Sequence, residues 1–202
     1  MVDERLICFD LDGLYFTEQS FQKFKESIAP NIESSKRDSV FALSDQMKSF
    51  KTWNMSESDY RNWSRKELWL SCTNKEIYQK LSESYEVNHN VDQLAKDLKK
   101  QWYRLWICSN NFPTRIRELN NKFHFLEKFD IHVFSFEVWF IKPDPRIFQI
   151  LIDKSGISPN KIIYSDDKEE KLQWAKSLWI QTFVFHDFNE FVQYLKSYWI
   201  EV

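Results

Sequence analysis

Glycine is nearly missing from this 202-residue chain: 2 are present where a globular sequence of this length carries about 7%, or roughly 14. Cysteine is scarce as well, with 3 residues at neither metal-ligand nor disulfide-framework spacing, so all three are read as reduced and structural. No window approaches the ~18 apolar residues of a membrane span, and the start of the chain lacks the basic and apolar pattern of a signal peptide. A cytoplasmic protein is expected. Neither charge sign dominates: 28 basic and 30 acidic residues are interspersed, which gives no basic face for nucleic acid and no polybasic run for a membrane. Small-molecule chemistry is the expectation, in a monomer or weak dimer.

Where glycine is short, tryptophan is abundant, at 9 residues. Trp179 falls between a predicted helix and a predicted strand, where a helix end favours glycine because the chain passes through the left-handed region. Trp102 and Trp139 also occupy predicted turns. This exchange suggests UGA codons, which some bacterial lineages decode as glycine, written as tryptophan. On that reading the indoles should overcrowd turns and sheet edges, and none is assigned a functional role.

A buried strand is expected over Arg5 to Phe9, and helices over Glu18 to Ile28, Ser35 to Phe50, Ser56 to Leu68, Asn74 to Ser84 and Val91 to Lys100. From Arg104 strands and helices alternate: strands Arg104 to Cys108, Ile131 to Phe134, Lys161 to Tyr164 and Thr182 to Phe185, with helices Pro113 to Asn121, Pro145 to Lys154, Lys168 to Leu178 and Phe188 to Ser197. Such alternation predicts an α/β fold, a doubly wound parallel sheet with right-handed crossovers and an inserted helical cap. The expected division is a core of residues 1–16 and 86–202 and a cap of residues 17–85.

Four segments in set order adjoin predicted strands: Phe9-Asp10-Leu11-Asp12-Gly13, Cys108-Ser109-Asn110-Asn111, Ile141-Lys142-Pro143-Asp144-Pro145 and Tyr164-Ser165-Asp166-Asp167. Each alone is weak, since paired acids before a helix are common N-caps and a Lys-Pro is commonly surface. Together at one sheet edge they supply what phosphoryl transfer requires. Asp10 is the candidate nucleophile, and Asp12 the acid that protonates the leaving oxygen and then activates water. Ser109 and Asn110, just before the helix opened by Pro113, are candidate phosphate ligands with Lys142. Asp166 and Asp167 are hard oxygen ligands suited to Mg2+, which the crowding of carboxylates around a phosphate makes almost obligatory.

Over nearly its whole length the chain resembles the haloacid dehalogenase-like hydrolases with a helical cap after the first strand. The four segments match that family's four motifs at Asp10 and Asp12, Ser109, Lys142, and Asp166 with Asp167. The resemblance implies a Rossmann-like core and Mg2+ held by the Asp10 carboxylate, the Asp12 backbone carbonyl, Asp166 and Asp167. Trp106, Trp174 and Trp199 stand where the family commonly has glycine. The stretch Trp53-Asn54-Met55-Ser56-Glu57 is similar to the small cap of sugar-phosphate phosphatases. Leu14-Tyr15-Phe16-Thr17 departs from the usual wording and leaves substrate orientation open. Dehalogenase members typically lack an acid at the position of Asp12, so Asp12 favours phosphate chemistry. The expected activity is Mg2+-dependent hydrolysis of a small phosphate ester, a sugar phosphate or similar, through an aspartyl-phosphate. A β-phosphoglucomutase-like phosphomutase is the main alternative, with Lys36, Arg37 and Arg61 available for a second phosphate, and a non-catalytic phosphate-binding protein is the remaining one.

Overall fold

The computed structural model describes residues 5–202. Residues 1–4 of the expected core lie outside them. Five strands, β1 Leu6–Phe9, β2 Arg104–Ser109, β3 Ile131–Phe134, β4 Ile162–Asp166 and β5 Gln181–Val184, form one sheet in the order β3-β2-β1-β4-β5. Every pairing is parallel, so the expected doubly wound sheet is present. β1 and β4 are buried at every residue, as strands covered by helices on both faces must be. Ile7 and Phe9 pack with Leu105, Ile107 and Ile163 on one face, and Leu6 and Cys8 with Trp106, Cys108, Ile162 and Tyr164 on the other.

Between β1 and β2 stand α1 Gln19–Ile28, α2 Ser34–Asp38, α3 Asp45–Lys51, α4 Glu57–Leu68, α5 Asn74–Ser84 and α6 His89–Lys100. The chain leaves and re-enters the sheet side by side: Phe16 bridges Val87, and the Thr17 N–H donates to the Glu86 carbonyl at 2.9 Å. Beyond β2 follow α7 Pro113–Phe123, a one-turn α8 Ser135–Val138, α9 Pro145–Ser155, α10 Gln173–Ser177 and α11 Phe188–Ser197. Proline opens α7 and α9 at a position where its missing N–H is no loss. A capping box of Thr73 and Glu76 starts α5 where the sequence places it.

Two expected helices are broken. The span Ser35 to Phe50 divides into α2, a π-turn over Ser39–Leu43, and α3, because Ser44 adopts extended backbone and its hydroxyl accepts from the Met47 N–H to start a new helix. The span Lys168 to Leu178 becomes a 3-10 turn over Glu169–Lys171 and the short α10, since the Lys168 N–H goes to the Asp166 side chain at 3.1 Å.

The tryptophans do not overcrowd their turns. Trp53, Trp69, Trp102, Trp139, Trp179 and Trp199 project into solvent, 54–86% exposed, and the strain lies in the backbone, where their φ angles fall between 48° and 69°. Trp106 is the buried exception, and its indole N–H has no hydrogen-bond partner among the described residues.

Candidate active site

The order of the sheet places β1 between β2 and β4, so the loops leaving the C-terminal ends of these three strands share one rim. Register sets their level: Phe9 lies opposite both Ile107 and Ser165, and the Asp10 N–H donates to the Ser165 carbonyl at 2.9 Å. Asp10 and Asp166 therefore stand side by side, one residue beyond paired strand positions.

Lys142 joins them from the loop before α9. Its ammonium is buried and donates to the Cys108 carbonyl at 2.9 Å, the Tyr164 hydroxyl at 2.5 Å and Asp166 Oδ2 at 2.6 Å. Those contacts use all three of its hydrogens. Asp10 Oδ1, 3.0 Å from the same nitrogen, is thus held by charge yet receives no hydrogen bond. Burial pulls the Lys142 pKa down, but Asp10 and Asp166 outweigh it and the net shift is upward. Burial likewise pushes Asp166 up, and Lys142 and Lys171 reverse this to hold it below the usual carboxylate range.

One oxygen from each of Asp10, Asp166 and Asp167 lies within 4.8 Å of the others. Three hard, largely buried carboxylates at this separation fit Mg2+. The Asp12 carboxylate is not one of the three; it turns to Arg115, 2.8 Å away, and to the Tyr85 hydroxyl at 3.4 Å. Gly13 lets Asp167 approach: its φ is +76°, and a Cβ there would stand 2.5 Å from Asp167 Oδ2.

Ser109 is buried at the end of β2, with its hydroxyl 3.4 Å from the Asn111 amide. The Asn110 side chain is occupied by the Lys142 backbone, accepting from its N–H at 2.7 Å and donating to its carbonyl at 2.9 Å. It ties the second loop to the third, while the next two backbone N–H groups donate to Ser135 Oγ at 3.0 Å (Asn111) and to Asn111 Oδ1 at 3.2 Å (Phe112).

Three cations at this rim escape the sequence reading. Arg115, in the first turn of α7, is fully buried, oriented by Asn111 Oδ1 at 2.6 Å and flanked by the Phe21 and Phe112 rings, each 5.0 Å away. Its signal was its place on the helix that follows the Ser109 loop. Lys171 reaches back one turn to Asp167, the i, i+4 spacing that marks it. Its pKa is drawn down by burial and raised further by Asp10, Asp166 and Asp167, so it remains a cation. Lys51, the last residue of α3, has no sequence signal. Burial first, and Arg115 second, lower its pKa to about 8, against the opposing pull of Asp12.

The family model for haloacid dehalogenase-like hydrolases matches residues 4–178. Bifunctional epoxide hydrolase 2 of Sus scrofa is 26% identical over 117 residues, covering 56% of this chain and 21% of that one. D-Ribitol-5-phosphate phosphatase of Bacteroides thetaiotaomicron is 24% identical over 118 residues, covering 58% and 54%. The chain thus spans 21% of the first relative and 54% of the second. In fold it is similar to a HAD family enzyme of Bacteroides thetaiotaomicron, with a TM-score of 0.76 at 20% identity over 93% of this chain and 98% of that one. A structure of the same enzyme with magnesium and inorganic phosphate gives 0.74 at 19% identity, with the same coverage. With 175 consecutive positions, 4–178, matched by the family model and a sheet and motif order that agree with it, the chain belongs to the haloacid dehalogenase-like hydrolases.

Proposed function

We propose that this protein hydrolyses monoesters of phosphoric acid with small metabolites, sugar phosphates or similar compounds, by way of a phosphoryl group carried on Asp10. The observation that carries this reading is Asp10 Oδ1: buried, charge-paired with Lys142 at 3.0 Å and free of hydrogen bonds, it is the oxygen whose lone pair is available for attack. As it attacks phosphorus, the bond to the ester oxygen breaks, and Asp12 supplies the proton that the leaving alcohol needs. Asp12 then takes a proton from water, whose oxygen displaces Asp10 from phosphorus and restores the free carboxylate. Ser109 and the Asn110 backbone N–H are assigned to the non-bridging phosphate oxygens, with Lys142, whose hydrogens are taken by the protein, contributing positive charge beside them. A divalent ion such as Mg2+, held by Asp10, the Asp12 carbonyl, Asp166 and Asp167, would neutralise charge on the transferring group.

The same reading divides the chain into a core of residues 1–16 and 86–202 and a cap of residues 17–85, supported by the pairing of the two crossing segments at Phe16 and Val87. Free Cys8, Cys72 and Cys108 accord with the reducing cytoplasm.

Release of p-nitrophenol from its phosphate ester in the presence of Mg2+ tests the activity. Wild-type protein should turn over, and acid-quenched enzyme should show a phosphoryl adduct at position 10. Asp10→Asn should lose at least ~10³-fold in kcat, since it removes the attacking oxyanion; near-wild-type turnover would remove Asp10 from the role. A phosphomutase is the second reading, one that a further cation such as Lys51, whose own pKa is lowered by burial and Arg115 and raised by Asp12, would serve. Interconversion of glucose phosphates would select it, and absence of any turnover would leave a binding protein.

A further inference from the structure

We propose that Lys171 is a tethered counter-cation of the acidic triad, which a divalent ion must displace in order to bind. This rests on the assignment of Asp10, Asp166 and Asp167 as the cation site. The Lys171 ammonium lies 3.4 Å from Asp10 Oδ2, 3.2 Å from Asp166 Oδ1 and 3.3 Å from Asp167 Oδ1. It therefore touches each of the three acids. Lys142 takes the remaining oxygens of Asp10 and Asp166, and Lys168 takes Asp167 Oδ2 at 3.3 Å. All six carboxylate oxygens face an ammonium, and three negative charges meet three positive ones.

A dication added to this balanced set meets a repulsive neighbour. Of the three lysines, Lys142 cannot leave, being fully enclosed and hydrogen-bonded three times. Lys168 touches Asp167 alone among the triad. Lys171 holds the triad through long contacts, at or beyond the outer limit of ordinary N–H···O bonds, and its side chain is 23% exposed. It has a route to solvent and little geometry to lose. Its withdrawal frees one oxygen on each acid and removes one charge, and an arriving phosphate dianion gives the displaced ammonium a new partner. Cation and phosphate binding should accordingly reinforce each other.

Calorimetric titration of the whole protein with MgCl2, without substrate, tests this. Lys171→Gln should bind Mg2+ at least tenfold more tightly than wild type, whereas Lys171→Arg, which keeps the charge, should not. Lys171→Gln should also melt at lower temperature than wild type without Mg2+ and regain the difference when Mg2+ is present. Equal Mg2+ affinity in wild type and Lys171→Gln would overturn the proposal. A measurement on unaltered protein guards against a variant that fails to fold: the acylation rate of Lys171 by an amine-reactive reagent, read by peptide mass spectrometry, should rise when Mg2+ is added. An unchanged rate would overturn the displacement. Turnover of p-nitrophenyl phosphate separates the two failures. Mg2+-dependent turnover with unchanged Lys171 behaviour rejects this inference alone, and turnover without any divalent ion rejects the cation site itself.

A second observation stands apart from the site. We infer that Trp53, Trp69, Trp102, Trp139, Trp179 and Trp199 are glycine in the protein as the cell makes it. Each lies at a helix end, after α3, α4, α6, α8, α10 and α11 respectively, with φ between 48° and 69°. α9 ends in the same conformation, at Gly156 with φ 64°. At five of the six, the next residue donates back across the turn to the residue five before it: Asn54 to Ser49, Leu70 to Arg65, Tyr103 to Leu98, Ile180 to Ala175 and Ile200 to Leu195. That closure selects glycine at the position tryptophan occupies. Among the described residues, His124 is the one other non-glycine with positive φ. Peptide mass spectrometry of protein purified from its native cells should find glycine at all six positions, and the gene should carry UGA there. Tryptophan at position 179 in the native protein would overturn the inference.

Discussion

At the scale of single residues, the rim works through close approaches that few side chains permit. Gly13 is the clearest case, because two separate constraints meet in it: a left-handed backbone, and a Cβ vector aimed at the Asp167 carboxylate. Gly13→Ala must either unwind the turn or push Asp167 away. Denaturant unfolding should show a loss on the order of 1–3 kcal/mol from the strained backbone, and the Mg2+ concentration needed for half-maximal turnover should rise. Unchanged values for both would mean that the loop relaxes freely. Asp10, Asp12, Ser109, Lys142, Asp166 and Asp167 could all be named from their order in the chain. Arg115 and Lys171 carry only weak marks, a place on the helix after the Ser109 loop and an i, i+4 spacing, and Lys51 none, because their main partners are brought close by folding; Arg115 meets Asp12 across 103 positions of sequence, 12 to 115.

At the scale of elements, α6 returns the chain to the sheet and is fastened by one carboxylate. Asp92 accepts from Lys128, from the Tyr15 hydroxyl and from Lys96, the last at 2.7 Å. Burial would raise its pKa, but hydrogen bonds from Lys128, Lys96 and Tyr15 prevail and hold it at about 2. A depressed acid adds stability above its unfolded pKa, near 4, and this contribution fades as pH falls towards 2. Asp92→Asn should therefore cost about 2 kcal/mol at pH 7 and progressively less below pH 4, as read from urea midpoints. An equal cost at pH 7 and pH 2.5 would show that packing, not charge, holds the helix. Helix ends show how local pattern can mislead. Ser44 looked like an interior residue of one long helix, yet its side chain starts a second one, a choice made by the tertiary packing of Val40, Phe41 and Met47.

For the whole molecule, the helices between β1 and β2 matter because they bring charge towards the rim of the sheet. Lys51 comes from α3, while the groups that set its pKa, Arg115, Asp12, Lys171 and Asp10, belong to the rim. With its pKa lowered to about 8, Lys51 is a cation below that pH and a neutral amine above it. Affinity for inorganic phosphate as a competitive inhibitor should thus weaken as pH rises from 7 to 9. Lys51→Met should flatten that profile and bind phosphate more weakly at pH 7; an unaltered profile would place the titrating group elsewhere.

The alternation of strands and helices and the order of four short motifs are written along the chain, since both depend on near neighbours in sequence. They determined the parallel sheet, the family, and most of the acids and bases at the rim. Tertiary structure alone decided which oxygen of Asp10 is left without a donor, that Lys171 rather than open space faces the three acids, and that Lys51 is coupled to charges at the rim. Each of those features joins at least two groups far apart in sequence, such as Asp10 with Lys142 and Lys171, and exists only once β1, β2 and β4 lie in register.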